Sequence, residues 1–286
     1  MFRWLIILIS FALSLPVQIK SEIINKPVVN IYIHPEEATE VDSQAIYGSS
    51  VLLIKKTADG WTKIQTADGL CGWIKSSELT SNSAFEAKVN LRSVKNLFAH
   101  IYRVTDIISF PPLLTIPYGA QVKLIKAVDP QERWVAIELV SKEKAWIQRE
   151  DLDFAPKLKT LEETLAFSKK FLGLPYTWGG VSTFGFDCSG FIQMLFKEMG
   201  FLLPRNAQDQ AQSPLFIPVA KKELQPGDLI FFGTAKITHV GLYLGNDQFI
   251  HSGVKDLPII MVSTLQSSKY EFYAARRLKP AVLNKH

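Results

Sequence analysis

The segment "GFDCSGFIQMLFKEMG", residues 185–200, combines a cysteine with a strongly amphipathic helical pattern. Counting back four residues from Ile192 places Cys188 in the first turn of that helix, with Asp187 as its N-cap and Gly200 at its end. Backbone N–H groups and the positive end of the helix dipole lie there, so we expect the position to favour a thiolate. The apolar residues recur at the spacing of one helix face: Phe191, Ile192, Leu195, Phe196 and Met199.

This cysteine has other interpretations, which its surroundings must decide. Free cysteines are commonly small buried residues without chemistry. The chain has one other cysteine, Cys71, to which we assign no role, and an exported protein could join the two in a disulfide. Cys188 with two histidines could also bind zinc, although no fourth ligand is evident.

Two of the five histidines are candidates for a catalytic base, since His34, His100 and His286 lie in the β-rich region or at the C-terminus. His239 and His251 lie on the strand-like runs "ITHVGLYLG" and "QFIHSG". Between these runs stands a Gly-Asn-Asp turn signal, which predicts a β-hairpin. With Leu244, Gly245 and Asn246 as the loop, His239 stands directly opposite His251 on one face. A slip by one residue would separate the two rings.

Cys188, His239 and His251 are the residue types that a nucleophile, a general base and an orienting residue require. The helix start can offer Cys188 to His239 as base, while His251 binds the second ring nitrogen of His239 and fixes its tautomer. That is the logic of a catalytic triad, with a histidine in the third position instead of the usual acid or amide. From the residues alone, packing is an equally good explanation of the three.

An internal repeat occupies the region from residue 27 to 155. "YGSSVLLIKK" at 47–56 aligns with "YGAQVKLIKA" at 118–127, and tryptophans recur at corresponding places: Trp61, Trp73, Trp134 and Trp146. Short β-rich runs broken by turn signals predict small barrels with these tryptophans in their cores. Each copy resembles a bacterial SH3-like domain, so we expect two, at residues 27–82 and 85–155.

Length and composition fit an exported globular protein. A chain of 286 residues with 47% hydrophobic residues has room for two or three domains. Its net charge of +5 is spread without basic runs, so we expect no nucleic-acid binding, although an anionic polymer such as a cell-wall glycan would be favoured.

The N-terminus carries a short apolar run that predicts export. Arg3 precedes an apolar run from Trp4 to Leu15, which is typical of a signal peptide, here residues 1–21. The run is short for a membrane span, and an uncleaved signal anchor is the alternative. We expect the periplasm or cell envelope, with a cytoplasmic recycling enzyme as the alternative location.

The mixed helix and strand pattern of residues 158–286 predicts an α+β domain. This domain resembles the NlpC family of cell-wall cysteine peptidases, which has a minimal papain-like fold. The resemblance is carried, in the family's order, by "GLPYTWGG", "DCSGF", "LPRNAQDQ", "LQPGDLIFFG", "THVGLYLG" and "FIHSG". It implies Cys188 as nucleophile, His239 as general base and acid, and His251 as orienting residue. It also implies that the Tyr176 hydroxyl lies beside the nucleophile and helps to stabilise the oxyanion.

Two SH3-like domains before such a domain resemble the subgroup that cleaves γ-D-glutamyl-diamino acid bonds. In that subgroup, residues matching Asp187 and Ser189, with a barrel glutamate, hold the free amine of an N-terminal L-alanine. Glu40 occupies the corresponding loop, but Glu36 and Glu37 leave that choice open. We interpret Arg205 and Gln210 as loop structure.

The sequence therefore predicts a peptidoglycan hydrolase. We expect a monomer that acts on peptidoglycan peptides without a metal or an organic cofactor. Alternatives are an amidase or acyltransferase with the same triad, and a catalytically inert wall-binding adaptor. Intact wall or released fragments are both open as substrate.

Overall fold

The computed structural model describes residues 20–87 and 90–280 as two β-units followed by an α+β unit. Strands predominate and helices are few. Across the described ranges, no helix has both the length and the apolar character needed to span a bilayer. The expected signal peptide falls almost wholly on residues 1–19, outside the described residues.

The first β-unit is a seven-stranded antiparallel sheet with the order β3-β2-β6-β5-β4-β1-β7. It begins at Ser21, earlier than the expected start at residue 27, because β1 pairs with both β4 and β7. Fully buried isoleucines fill its core, and of the two tryptophans only Trp61 is buried. Its strands are β1 (Ser21–Ile24), β2 (Val28–Tyr32), β3 (Val41–Ile46), β4 (Ser50–Lys56), β5 (Trp61–Gln65), β6 (Cys71–Lys75) and β7 (Leu79–Thr80).

The second β-unit follows a single helical turn, α1 (Ser83–Glu86), and has six strands with the order β10-β9-β13-β12-β11-β8. Its tryptophans are half-buried, so the prediction that all four tryptophans lie in barrel cores is wrong for these two as it is for Trp73. The hydroxyl of Tyr47, from the first unit, accepts a hydrogen bond from the backbone of Val140 at 2.8 Å and joins the two units. Its strands are β8 (Leu91–Ser93), β9 (Phe98–Tyr102), β10 (Leu114–Pro117), β11 (Gln121–Leu124), β12 (Trp134–Glu138) and β13 (Lys144–Gln148).

The third unit packs helices against a six-stranded sheet with the order β16-β21-β17-β18-β19-β20. Its first helix begins with a capping box, in which the side chains of Thr160 and Glu163 each accept a hydrogen bond from the backbone N–H of the other. The elements are α2 (Leu161–Ser168), β14 (Val181–Ser182), β15 (Gly185–Phe186), α3 (Cys188–Glu198), α4 (Ala207–Gln212), β16 (Phe216–Val219), β17 (Leu229–Gly233), β18 (Ile237–Gly245), β19 (Gln248–Ser252), β20 (Ile260–Thr264) and β21 (Phe272–Leu278).

Helix α3 anchors the core of this unit. It begins at Cys188, as the periodicity predicts, and its apolar face is buried against one face of the sheet: Phe191, Ile192, Leu195 and Phe196. The other sheet face holds a smaller cluster of Ile230, Phe232, Phe249 and Tyr270. Residues of β17 alternate between the two clusters, as the pleat requires.

The first β-unit docks on the side of α3. The amide of Gln193 donates to Asp68 Oδ2 at 2.7 Å, and Arg205 Nε donates to Ser43 Oγ at 2.8 Å. Gly179, at φ +73, approaches β3 so closely that a Cβ there would lie 2.9 Å from Val41. These contacts put a strand of the first unit beside the start of α3.

Candidate active site

Cys188 is the first residue of α3, where the helix has free N–H groups. Asp187 is the N-cap, and its Oδ1 accepts from the Gly190 amide at 2.7 Å. The sulfur faces the backbone N–H of Val240, the residue after His239. Ser252, the residue after His251, donates to the carbonyl of Phe186 at 2.7 Å. Strands β18 and β19 therefore hold the segment around Cys188 on both sides.

The expected preference for a thiolate is wrong for the resting site. Burial, followed by the negative charge of Asp187, raises the pKa of the Cys188 thiol to about 12. The N–H groups of Val240 and Ser189 and the charge of Arg205 act in the opposite direction but are weaker. Losing hydration costs an ion more than one helix end returns. Both cysteines are free, with Cys71 exposed, so no disulfide joins them.

His239 and His251 form one hydrogen-bonded pair. Nε2 of His239 and Nδ1 of His251 are 2.9 Å apart, and the rings meet edge to face. Both side chains are buried, at 4% and 1% exposed. The hairpin therefore brings the two predicted imidazoles together on one face of the sheet.

The register of this hairpin differs from the predicted one by two residues. Tyr243 pairs with Phe249, and the turn is Asn246-Asp247, both with positive φ, next to a bulge at Gly245. Gly241 rather than His239 therefore stands opposite His251. A shift of two residues keeps both rings on the same face, and the missing side chain of Gly241 lets them meet diagonally.

Aromatic and glycine neighbours fix the two rings in place. Tyr270 stacks on His239 with ring centroids 4.0 Å apart and an angle of 13°. Its hydroxyl accepts from the backbone amides of Val254 and Lys255, at 2.9 and 3.2 Å. A Cβ on Gly253 would lie only 2.5 Å from Cε1 of His251. The pair therefore has little freedom to rotate.

Burial also keeps both histidines neutral. It lowers the pKa of His239 well below its ordinary value, and the charges of His251 and Lys255 add to the effect. Burial lowers the pKa of His251 to about 4, against the opposing charge of Asp256. At neutral pH the resting site therefore holds a thiol and two neutral imidazoles.

The pH profile follows from these directions. A base whose pKa is lowered stays competent until the pH falls to that lowered value, so kcat/KM should stay flat across pH 6.5, where an ordinary histidine titrates. It should decline only at a pH well below 6.5, and His251, the partner of this base, titrates near pH 4. The free energy of unfolding should fall earlier, from about pH 6.5 down towards pH 4, because in that range the unfolded chain binds protons that the buried pair does not.

Initial rates that give kcat/KM, and parallel urea titrations, between pH 4 and 8 at one ionic strength test this expectation. The charged or titratable groups shown to act on the pair or to stack on it are Lys255, Asp256 and Tyr270. A profile that loses half its activity at pH 6.5 would contradict it.

Asp187 and Ser189, on either side of the nucleophile, are held by a buried arginine. Arg205 Nη1 donates to Asp187 Oδ1 at 3.1 Å and to Ser189 Oγ at 2.9 Å, while its Nη2 donates to Asp187 Oδ2. Its Nε reaches Ser43 of the first β-unit. The interpretation of Arg205 as loop structure is therefore incomplete, because it links the loop, the helix start and the first unit.

Gln210, interpreted as loop structure, does bind the loop. Its amide donates to the carbonyls of Ser189 and Pro204, both at 3.0 Å. Its side chain is fully buried, which suits support of the α3 start from below.

Tyr176 lies near the nucleophile, half-buried in the loop before β14. Burial raises the pKa of its hydroxyl above the ordinary range, and the charges of Cys188 and Asp187 add to that rise. Its backbone amide donates to the carbonyl of Pro258 at 2.7 Å and so fixes the loop. A protonated hydroxyl in this region is a suitable hydrogen-bond donor for an oxyanion.

Near Asp187 and Arg205, Asp42 of the first β-unit is more buried than Glu40. The Glu40 side chain is exposed, and Glu37 pairs with Lys75 at 2.8 Å. Asp42, on β3, is half-buried, and burial raises its pKa, with Glu40, Asp187 and Asp68 adding and Arg205 opposing. The sequence pattern gave no reason to separate Asp42 from the neighbouring acids, because its neighbours come from distant parts of the chain.

A cavity of about 210 Å³ lies on another side of α3, between all three units. It is lined by Gln44, Tyr118, Gln193 and Met194, among others, and by neither Cys188 nor the histidine pair. The reacting groups therefore lie outside it.

Comparison with known proteins agrees with this architecture. The NlpC/P60 family model matches residues 173–277, and a bacterial dipeptidyl-peptidase Sh3 domain model matches residues 31–79. A γ-D-glutamyl-L-lysine dipeptidyl-peptidase from Bacillus cereus is 30% identical over 266 residues, covering 85% of this chain and 77% of the relative. The protein of the same name from Bacillus subtilis is 29% identical, covering 81% and 78%.

A solved structure supports the same fold. The crystal structure of an NlpC/P60 family protein from Bacillus cereus superposes with a TM-score of 0.78 at 24% identity, covering 91% of this chain and all of that one. The family models and the relative at 30% identity also match this chain, and the similarity covers the β-units as well as the unit that carries Cys188. The chain belongs to the NlpC/P60 family of cysteine peptidases.

Proposed function

We propose that this peptidase hydrolyses the γ-D-glutamyl-diamino acid bond of peptidoglycan stem peptides. The hydrogen bond between His239 and His251, next to a helix start that carries Cys188, is the observation on which the proposal depends. The relatives named as γ-D-glutamyl-L-lysine dipeptidyl-peptidases support the substrate class. Diaminopimelate or lysine would be the diamino acid.

The reaction would proceed through a thioester. His239 takes the thiol proton as the Cys188 sulfur attacks the γ-carbonyl carbon, and the oxyanion accepts from the Cys188 amide and the Tyr176 hydroxyl. His239 then gives its proton to the departing amine as the C–N bond breaks. Water attacks the thioester, His239 takes its proton, and the thiol is restored as the peptide acid leaves.

The free ammonium of an N-terminal L-alanine would select the substrate. Asp187 Oδ1 already accepts from Gly190, Ser189 and Arg205, so that oxygen is occupied. We therefore assign the ammonium to Asp42 together with the remaining capacity of Asp187 Oδ2, with Glu40 at the rim. Asp42 has no arginine bonded to it in the described structure, and an ammonium beside a half-buried carboxylate would gain a charge-assisted hydrogen bond.

This assignment predicts a selective loss. Asp42→Asn should lower kcat/KM for L-Ala-γ-D-Glu-diaminopimelate by about tenfold, the range for one hydrogen bond to a charged group, and mainly through KM. The matched variant Glu40→Gln should lower it less than about threefold, because an exposed charge is screened. Loss of selectivity for the free amine over the N-acetylated peptide is the measurement. Equal effects of the two substitutions would contradict the assignment.

Mass spectrometry of the products tests the function itself. We expect the purified chain to convert the free tripeptide to L-Ala-γ-D-Glu and diamino acid with the gain of one water, and to act weakly on intact sacculi. A product carrying an amine acceptor instead of water would indicate acyl transfer. No product from either substrate would favour a wall-binding adaptor.

The remaining assignments concern the whole chain. We propose that residues 85–155 form a second SH3-like barrel, because the edge-to-face pair Tyr32–Trp61 recurs as Tyr102–Trp134, at 5.6 and 5.5 Å between ring centroids. We further propose that residues 1–21 direct export, that the enzyme acts in the cell envelope on peptidoglycan peptides, and that it is a monomer. Residues 158–286 would form the peptidase domain.

A further inference from the structure

We infer that Ser263 is a positioning residue that sets the tautomers of both catalytic imidazoles, an inference that rests on the proposed function. Ser263 lies on β20, and its Oγ is 3.0 Å from Nε2 of His251. His251 pairs with Met261 across the β19–β20 ladder, so Ser263 is its diagonal neighbour on the same face. The contact extends the hydrogen-bonded pair of His239 and His251 to a third side chain.

The positions of the protons follow from one requirement. Nε2 of His239 faces His251, so Nδ1 is the nitrogen left to take the thiol proton, and it must be unprotonated. A neutral imidazole carries one N–H, which then lies on Nε2 and donates to His251 Nδ1. His251 in turn carries its hydrogen on Nε2 and donates it to Ser263 Oγ. Ser263 is thus the acceptor that makes the productive arrangement complete.

The alternative arrangement has the opposite protonation throughout. If His251 carried its hydrogen on Nδ1, that hydrogen would point at Nε2 of His239 and move the His239 hydrogen to Nδ1. Such a ring cannot accept a proton from Cys188. A serine hydroxyl can accept or donate, so Ser263 supports the productive tautomer by accepting from a His251 Nε2–H that would otherwise be buried without a partner.

Among the described contacts of the His251 ring, Ser263 Oγ is the hydrogen-bond partner besides His239. Phe249 lies beside the ring with centroids 4.7 Å apart, and a Cβ on Gly253 would lie 2.7 Å from Nδ1 of His251. Neither group accepts a hydrogen bond from the ring. Because burial keeps both histidines neutral, the choice between tautomers decides whether His239 is a base.

Substitution of Ser263 tests the inference with two independent measurements. Ser263→Ala should lower kcat about tenfold with KM unchanged, less than the full cost of a wrong tautomer because water can reach this half-buried position. Ser263→Thr keeps the hydroxyl and should restore most of the rate. Thr264→Ala is the matched control, since Thr264 Oγ1 instead contacts Ser267 Oγ at 2.6 Å.

Nitrogen-15 NMR of the imidazoles in the substrate-free enzyme gives the second measurement. Wild type and Ser263→Thr should show His239 and His251 protonated on Nε2, and Ser263→Ala should show a growing Nδ1–H population. Unchanged tautomers and a kcat within twofold of wild type in Ser263→Ala would overturn the inference. Absence of hydrolysis in the wild type would instead refute the proposed function, and the NMR result would still decide the role of Ser263.

Discussion

Cys188→Ala should fold normally and lose at least about 10⁴-fold in kcat, because removal of a nucleophile from a triad leaves only what binding and the oxyanion donors contribute. The thiol is the only group at the start of α3 that can form the thioester. Alanine fits its site, since the side chain packs among apolar residues and only the sulfur is lost. Hydrolysis of L-Ala-γ-D-Glu-diaminopimelate, followed by chromatography of the released diamino acid, measures the loss.

The chain supplies its own control for this experiment. Cys71 is a free, exposed thiol on β6 of the first β-unit, and Cys71→Ala should retain full activity. Urea titration should give Cys188→Ala a free energy of unfolding within about 1 kcal/mol of wild type. Replacing a functional residue by a small residue that fits the site commonly costs little stability. Undiminished hydrolysis by Cys188→Ala, or inactivation by Cys71→Ala, would refute Cys188 as nucleophile.

Alkylation offers a related observation on the same sulfur. Because burial raises the pKa of Cys188, its reaction with iodoacetamide should be slow at neutral pH and slower than that of exposed Cys71. This would distinguish a resting thiol from a preformed thiolate. It also explains why the general base is needed during attack rather than before it.

Local periodicity was sufficient to predict helix α3, whereas the register of the β18–β19 hairpin depended on the conformation of one turn. The start of α3 at Cys188 and the cap at Asp187 follow from residues within five positions of each other. The turn at Asn246-Asp247 and the bulge at Gly245 involve three residues that each tolerate positive φ. Several loops fit such a segment, so the predicted register was wrong by two residues while the shared face was right.

Contacts between distant segments explain what the sequence did not indicate. Arg205 meets Ser43, which is 162 residues away, and the polar loop around it gives no sign of that partner. Asp42 lies on β3, half-buried and near Arg205 of the third unit, whereas Glu40 precedes the strand and is exposed. The pKa of Cys188 likewise depends on how completely the sheet and the helix exclude water, which a helix pattern does not contain.

Arg205→Met should reduce the free energy of unfolding by about 3–5 kcal/mol, the cost of removing one partner from a buried ion pair. Its side chain is 3% exposed and that of Asp187 is 11% exposed, so the carboxylate would stay buried without its cation. Asp187 would then be a poorer N-cap, and the start of α3 and Ser189 would shift. Activity should therefore fall as well, in kcat more than in KM, because Cys188 is the next residue.

The double variant Arg205→Met with Asp187→Asn separates charge from packing. Removing both charges should recover much of the lost stability, since a neutral pair costs far less to bury than one unpaired carboxylate. Arg205→Lys keeps the charge but cannot contact both oxygens of Asp187 and Ser43 together, so it should lie between wild type and Arg205→Met. Urea titration and kcat/KM of all four proteins measure this. If Arg205→Met changes stability by less than about 1 kcal/mol, a value ordinary for an exposed pair, the guanidinium does not hold the helix start.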